Sequence, residues 1–338
     1  MNNQITAPFS SLVYFRLIAL WVICESVLGG IIHGFKLPVS GLIVGSSALI
    51  CICLIALYVP TKGAIVKATI IVAIFKMMLS PQAPPTAYVA VFFQGIMGEI
   101  LFLDRKKYAF GCIALCIIGL LESACQRIII MTLVYGNGFW KVVNEFANTL
   151  IKSKEVNYSL YSVCFYVLIH IVTGIAVGRF TAGFPKKIAK WKENRNYFIA
   201  ERESAKDTVT TPENKKKKRR KNGLLVIWIG LLLFYIYSSF IESTSTLSHS
   251  ILQIIIRSAI ILLTWYFVFS PLLIKWMKSL LVKQQGKFQQ EIQMIVQLLP
   301  TTRYVLNQSW KLSSAKKGVN RIKLFCKITV VNILHHEA

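Results

Sequence analysis

Six side chains set in otherwise apolar stretches hold most of the chemistry this sequence offers: Glu25, Lys76, Gln94, Glu122, Gln126 and Arg127. Ionisable and amide groups are expensive inside membrane-length segments, so their presence there marks a pairing, a pathway or a binding site. Glu122 and Gln126 stand at i and i+4 and share one helix face. Glu25, Lys76, Glu122 and Arg127 come from three segments and place two acids and two bases at similar depth, a charge-balanced cluster. Two readings of it stand open: a pocket for a polar solute, and a structural ion-pair network. Arg16 and Lys67 fall near helix ends, where long side chains snorkel. Glu99 is expected to pair with the basic Asp104–Lys107 loop, and His170 reads as a hydrogen-bonded core histidine.

The stretch that must position these groups is Lys76–Glu99, KMMLSPQAPPTAYVAVFFQGIMGE. An apolar helix ends at Pro81, and Pro84-Pro85 forces an extended turn before the next one. On that second helix Thr86, Ala90, Gln94 and Gly98 form one small or amide stripe, with Val89, Phe92, Phe93, Ile96 and Ile100 around the rest. Lipid offers an amide no hydrogen bond, so the stripe is expected to face other helices, as a polar lining or a packing seam.

Composition sets the class. The chain has 338 residues, 55% of them hydrophobic, a net charge of +25 and a mean hydropathy of +0.57. That combination fits a polytopic membrane protein with basic flanking segments rather than a soluble basic protein. Nucleic acid is not expected as a partner, because the basic residues cluster beside apolar spans. The first apolar run carries Arg16 and Glu25 and has no small-residue cleavage site, so no cleavable signal peptide is expected.

Eight spans are predicted, at 11–35, 37–60, 61–81, 85–103, 108–134, 157–179, 223–241 and 250–276. The expected fold class is therefore all-α: a six-helix bundle plus two further transmembrane helices and cytoplasmic amphipathic helices. Lys62, Arg105-Lys106-Lys107 and the long basic segment after the sixth span place both termini in the cytoplasm by the positive-inside rule. The division by sequence is 1–183, a six-span domain; 184–222, a solvated basic linker; and 223–338, two spans plus cytoplasmic helices. In the last part Phe288, Ile292, Ile295, Val296 and Leu299 make a helical apolar face, and Pro300 is expected to stop or bend that helix. Such helices lie on the inner leaflet or dock a partner.

No enzymatic activity, cofactor or metal site is expected. The chain has no GxxxxGK[ST] loop and no nucleophile–base pair at a recognisable spacing. Seven of its eight cysteines fall in the predicted spans, and Cys112 and Cys116 read as small core residues.

Residues 11–183 resemble the substrate-binding S component of energy-coupling-factor transporters, in their six spans, polar outer half and Pro-rich turn. Residues 295–325 resemble the cytoplasmic helices of that family's T component, with a Leu299-Pro300 step and an Ala315-Lys316-Lys317-Gly318 signature. The resemblance implies a multi-pass membrane subunit of the bacterial plasma membrane that takes up a small solute such as a vitamin. Separate ATP-binding-cassette ATPases would act on it in trans. It implies a solute site at Glu25, Lys76, Gln94, Glu122, Gln126 and Arg127, and ATPase coupling through Ala315, Lys316, Lys317, Gly318 and Arg321. The chain departs from the family in having two spans in its second half, no Arg before Gly318, and no Ala-xxx-Ala row on its first span; Ser26, Gly30 and Gly34 stand there instead. The alternative is a non-transporting membrane scaffold or sensor.

Overall fold

The computed structural model describes residues 7–34, 40–80, 83–151, 156–199, 230 and 247–335, and all regular structure among them is helical. Helix α1 (Ala7–Ile23) runs through a π-helical turn (Cys24–Leu28) into α2 (Gly29–Gly34). Helices α3 (Ser40–Tyr58), α4 (Ala64–Leu79), α5 (Pro85–Leu101), α6 (Tyr108–Tyr135), α7 (Asn137–Ile151), α8 (Tyr158–Ala182) and α9 (Phe184–Lys192) follow. Helix α10 (Leu247–Thr264) continues through a second π-helical turn (Trp265–Phe269) into α11 (Ser270–Lys287); α12 (Gln289–Leu312) and α13 (Gly318–His335) complete the order.

Among the described residues, five stretches are long and apolar enough to cross a membrane: Leu12–Ile32, Ser40–Tyr58, Tyr108–Tyr135, Tyr158–Ala182 and Ser258–Lys287. Helices α4 and α5 have 16 and 17 residues. At 1.5 Å per residue they reach about 24 and 26 Å, short of a hydrocarbon core of about 30 Å. The expected span at 223–241 lies outside the described residues apart from Gly230. The described residues are thus all-α and include several membrane-length helices.

The chain divides into two compact units, Met1–Leu120 with Ile171–Thr210 and Lys278–Ala338, and Leu121–His170 with Thr211–Met277. Neither unit follows the sequence divisions at 183 and 222.

In the first unit α4 and α5 form a hairpin, and α1 lies beside α3 and α4. Pro85 opens α5 at the position where a missing N–H costs nothing. Gln94 and Gly98 are buried while Val89, Ile96 and Ile100 are exposed, so the small stripe of α5 faces helices and its aliphatic side faces outward. A Cβ on Gly98 would meet Ile52 of α3 at 2.7 Å, and one on Gly95 would overlap Thr69 of α4. Helix α8 reaches α6 through Gly174 and Gly178, where an added Cβ would lie 2.8 Å from the Cα of Ile117 and 2.7 Å from that of Ile113.

The C-terminal helices belong to this unit. Helix α12 lies along α1, and α13 folds back on α12 while also touching α1. Trp310 and Phe325 meet edge to face across the hairpin, with centroids 5.5 Å apart. Cys326 lies within electrostatic reach of Cys24, and His335 of Arg16, so α13 runs antiparallel to α1. Ile292 and Ile295, from the apolar face read as free for a membrane or a partner, are buried in this packing. Pro300 neither stops nor delimits the helix, which continues to Leu312. A proline removes one donor, and the packing of α12 on both sides of that position offsets the loss.

The first part of the basic linker also differs from expectation. Residues 184–199 form α9 and a short 3-10 turn, with Phe184, Ile188 and Trp191 buried. Asn332 of α13 fixes that turn: its Nδ2 donates to the Tyr197 carbonyl at 2.6 Å, and its Oδ1 accepts from the Ile199 N–H at 2.9 Å. Phe184, Ile188 and Trp191 stand at i, i+4 and i+7, an apolar stripe that the surrounding lysines conceal in a composition average.

Candidate functional site

Glu25 and Lys76 meet. Lys76 Nζ donates to Glu25 Oε2 at 2.6 Å, and both residues are buried, at 6% and 5% exposure. Glu25 stands in the π-helical turn, and a π-turn rotates side chains out of the register an α-helix would give them. The local backbone is tied to α4 as well, since Ser80 Oγ donates to the Ser26 carbonyl at 3.1 Å. The pair is compensated, so neither charge stands alone in a low-dielectric interior.

Gln94 is 3% exposed, with its Oε1 buried and lacking a hydrogen-bond partner. Glycines flank it: a Cβ on Gly45 of α3 would lie 3.6 Å from Gln94 Nε2, and one on Gly119 of α6 would lie 3.5 Å from its Cγ. Ser26 Oγ, in the π-turn beside Glu25, is likewise buried without a partner. Neutral acceptors and hydroxyls left open in a buried region are what a polar ligand or an ordered water satisfies.

Glu122, Gln126 and Arg127 lie in the second unit, on the second half of α6, and all three are half-buried. Glu122 Oε2 is buried with no hydrogen-bond partner, and so is Nε2 of His170 in the same unit. His170 Nδ1 is hydrogen-bonded to the Tyr166 carbonyl at 2.9 Å, which agrees with a core histidine on that side of the ring.

Sequence reasoning missed the cluster at the opposite end of α1 and α4. Lys67 Nζ donates to Glu291 Oε1 of α12 at 2.7 Å. Burial works against the Glu291 carboxylate, but the Lys67 hydrogen bond, a backbone hydrogen bond and the Lys67 charge together hold it below its ordinary 4.5. Among the described side chains of the Asp104–Lys107 loop, none forms an ion pair with Glu99. Its carboxylate accepts from the N–H groups of Gly63 (2.6 Å), Ile65 (3.2 Å) and Val66 (3.4 Å). A carboxylate at a helix N-terminus meets unpaired donors and the positive end of the dipole, which an exposed lysine cannot match. Tyr14 donates from its hydroxyl to the Ala64 carbonyl at 2.8 Å and closes the same corner from α1. Local sequence gives no sign of the Lys67–Glu291 pair, whose members are separated by most of the chain.

The coupling residues inferred from the resemblance lie at the turn of the α12–α13 hairpin. Ala315, Lys316, Lys317 and Gly318 are exposed, and the Arg321 guanidinium lies 4.1 Å from the centroid of the Trp310 ring. Gly318 has φ +58 with open space around it, so its role in the fold is to adopt a left-handed conformation rather than to admit a close neighbour. Among the cysteines, Cys24 lies near Cys51 and Ser47, and Cys53 lies near Cys112 and Cys116. No group of three or more His, Cys, Asp or Glu side chains among the described residues is arranged to hold a metal ion. Compared with known proteins, the chain matches no family model, no curated protein and no solved structure.

Proposed function

We propose that the protein is a membrane subunit of an uptake system for a small polar solute, driven by separate ATPases that act on the α12–α13 hairpin. In this reading both termini face the cytoplasm. Within the first unit Glu25, Lys76 and Gln94 are the polar groups offered to the solute, and within the second unit Glu122, Gln126 and Arg127 are the candidates. The observation that carries the reading is mechanical. The π-helical turn that continues α1 bears Glu25, and α1 lies along α12, while α4 bears Lys76 and is tied to α12 by Lys67–Glu291. Displacement of α12 therefore acts on both helices that hold the buried ion pair. A packed interface transmits such a displacement because it is close to incompressible.

The closed geometry of Glu25–Lys76 favours a second reading, in which the pair only holds helices together in a non-transporting scaffold. Two experiments separate them. Small molecules that co-purify with the protein from its host membrane are identified by mass spectrometry, for the natural chain and for Glu122→Gln. The transporter reading expects a bound solute that the variant loses while its melting temperature holds. Uptake is then measured for Lys67→Glu, Glu291→Lys and the double reversal. Loss in each single variant with recovery in the double supports coupling through this pair; normal uptake in the singles removes it.

A further inference from the structure

We propose that α7 is a bilayer-seated interfacial helix, with its Phe146–Leu150 strip in the acyl-chain margin of the leaflet where α6 ends and α8 begins. Residues 121–170, which include the end of α6, all of α7 and the start of α8, belong to the second unit together with α10. Two candidate spans, Tyr108–Tyr135 and Tyr158–Ala182, flank α7, so it leaves one membrane-length helix and enters the next on the same side. Gly136, at φ +74, makes the turn out of α6. Trp140 Nε1 then donates to Thr132 Oγ1 at 3.1 Å, and Phe139 stacks on Tyr135 with centroids 5.2 Å apart. One turn later Asn144 Oδ1 accepts from the Ser159 N–H at 3.0 Å, at the start of α8. A helix running back down α6 would carry Asn144 away from that end. Helix α7 instead reaches from the end of one span to the start of the other, with α10 also against it.

The faces follow from helical spacing. Trp140, Val143, Asn144 and Ala147 are half-buried. The exposed side divides into two adjacent strips. One is polar, Lys141, Glu145 and Thr149; the other is apolar, Phe146 at 68% and Leu150 at 71% exposure. A helix stapled across two span ends at the membrane surface has water on one side and acyl chains on the other. Neighbouring polar and apolar strips fit that boundary and no uniform environment. Lys141 and Glu145 cancel in charge, so the attachment is apolar and does not require anionic lipid.

The test uses the full-length protein in phosphatidylcholine liposomes. Exposed Cys125 and Cys164 are replaced by serine, and single cysteines at Phe146, Leu150 and Lys141 are spin-labelled. Collision of the label with dissolved oxygen, which partitions into lipid, is compared with collision of a water-soluble nickel chelate. Oxygen is expected to dominate by several-fold at positions 146 and 150, and the chelate at 141. Chelate dominance at 146 and 150 overturns the proposal, because the strip would then be in water. Exclusion of both reagents there also overturns it, because protein, a second copy included, would then cover the strip. Phe146 and Leu150 are both exposed, so each checks the other should one label disturb folding.

Discussion

Lys67 and Lys76 lie on the same helix about two and a half turns apart, and each closes an ion pair, with Glu291 of α12 and with Glu25 of the π-turn. The two pairs differ in setting. Glu25–Lys76 is buried on both sides, whereas the Lys67 side chain is 39% exposed. The inner pair therefore governs stability, and the outer pair, screened by solvent, governs position.

Breaking the inner pair from one side leaves a buried charge without a counterion. Glu25→Gln or Lys76→Met should each cost roughly 3–5 kcal/mol, while replacing both by apolar residues of similar size should cost far less. Denaturation of the two singles and the double in one detergent measures the coupling. Equal losses that simply add would show that the charges do not interact.

Glu99 should act as a helix cap. Glu99→Ala should lower stability by about 1–2 kcal/mol and Glu99→Gln by less, since the amide oxygen still accepts. Amide exchange at Ile65 and Val66 should quicken in the alanine variant before exchange elsewhere in α4 changes. Uniform quickening along α4 would point to loss of packing instead.

The close approach of α8 to α6 should tolerate no added carbon. Gly174→Ala and Gly178→Ala put a Cβ against α6 backbone, which cannot rotate away as a side chain would. A loss of about 1–3 kcal/mol each is expected, read from thermal melts. A glycine-to-alanine gain, the ordinary result in an open helix, would mean that the two backbones are not in contact.

The end of α13 should loosen in acid. Burial, then the charges of Lys192 and Arg16, hold His335 below its ordinary 6.5. A detached α13 takes up its proton at the ordinary value, so this contribution is complete above about pH 6.5 and is lost as pH falls through the lower, packed value. Exchange protection of Val330–Leu334, corrected for intrinsic rates, should fall as pH drops from about 7 to 5. His335→Gln should flatten that dependence; an unchanged slope in the variant would assign it to another group.

What the sequence determined is local. Hydropathy and proline placement set the all-α class, the α4–α5 break and the outward side of α5, because burial in a helix repeats with the turn of that helix. The same spacing separates Gln94 and Gly98 from Val89, Ile96 and Ile100 without any knowledge of neighbours. The tertiary structure decided which groups meet. Glu99 is drawn to unpaired N–H donors on α4, Lys67 to a carboxylate in the last quarter of the chain, and Ile292 and Ile295 to the chain's own first helix. It also decided that Phe184, Ile188 and Trp191 fold part of a lysine-rich segment, and that α12 continues through Pro300. A charge or an apolar face specifies the kind of partner it needs, and only the packing of distant helices specifies which one it finds.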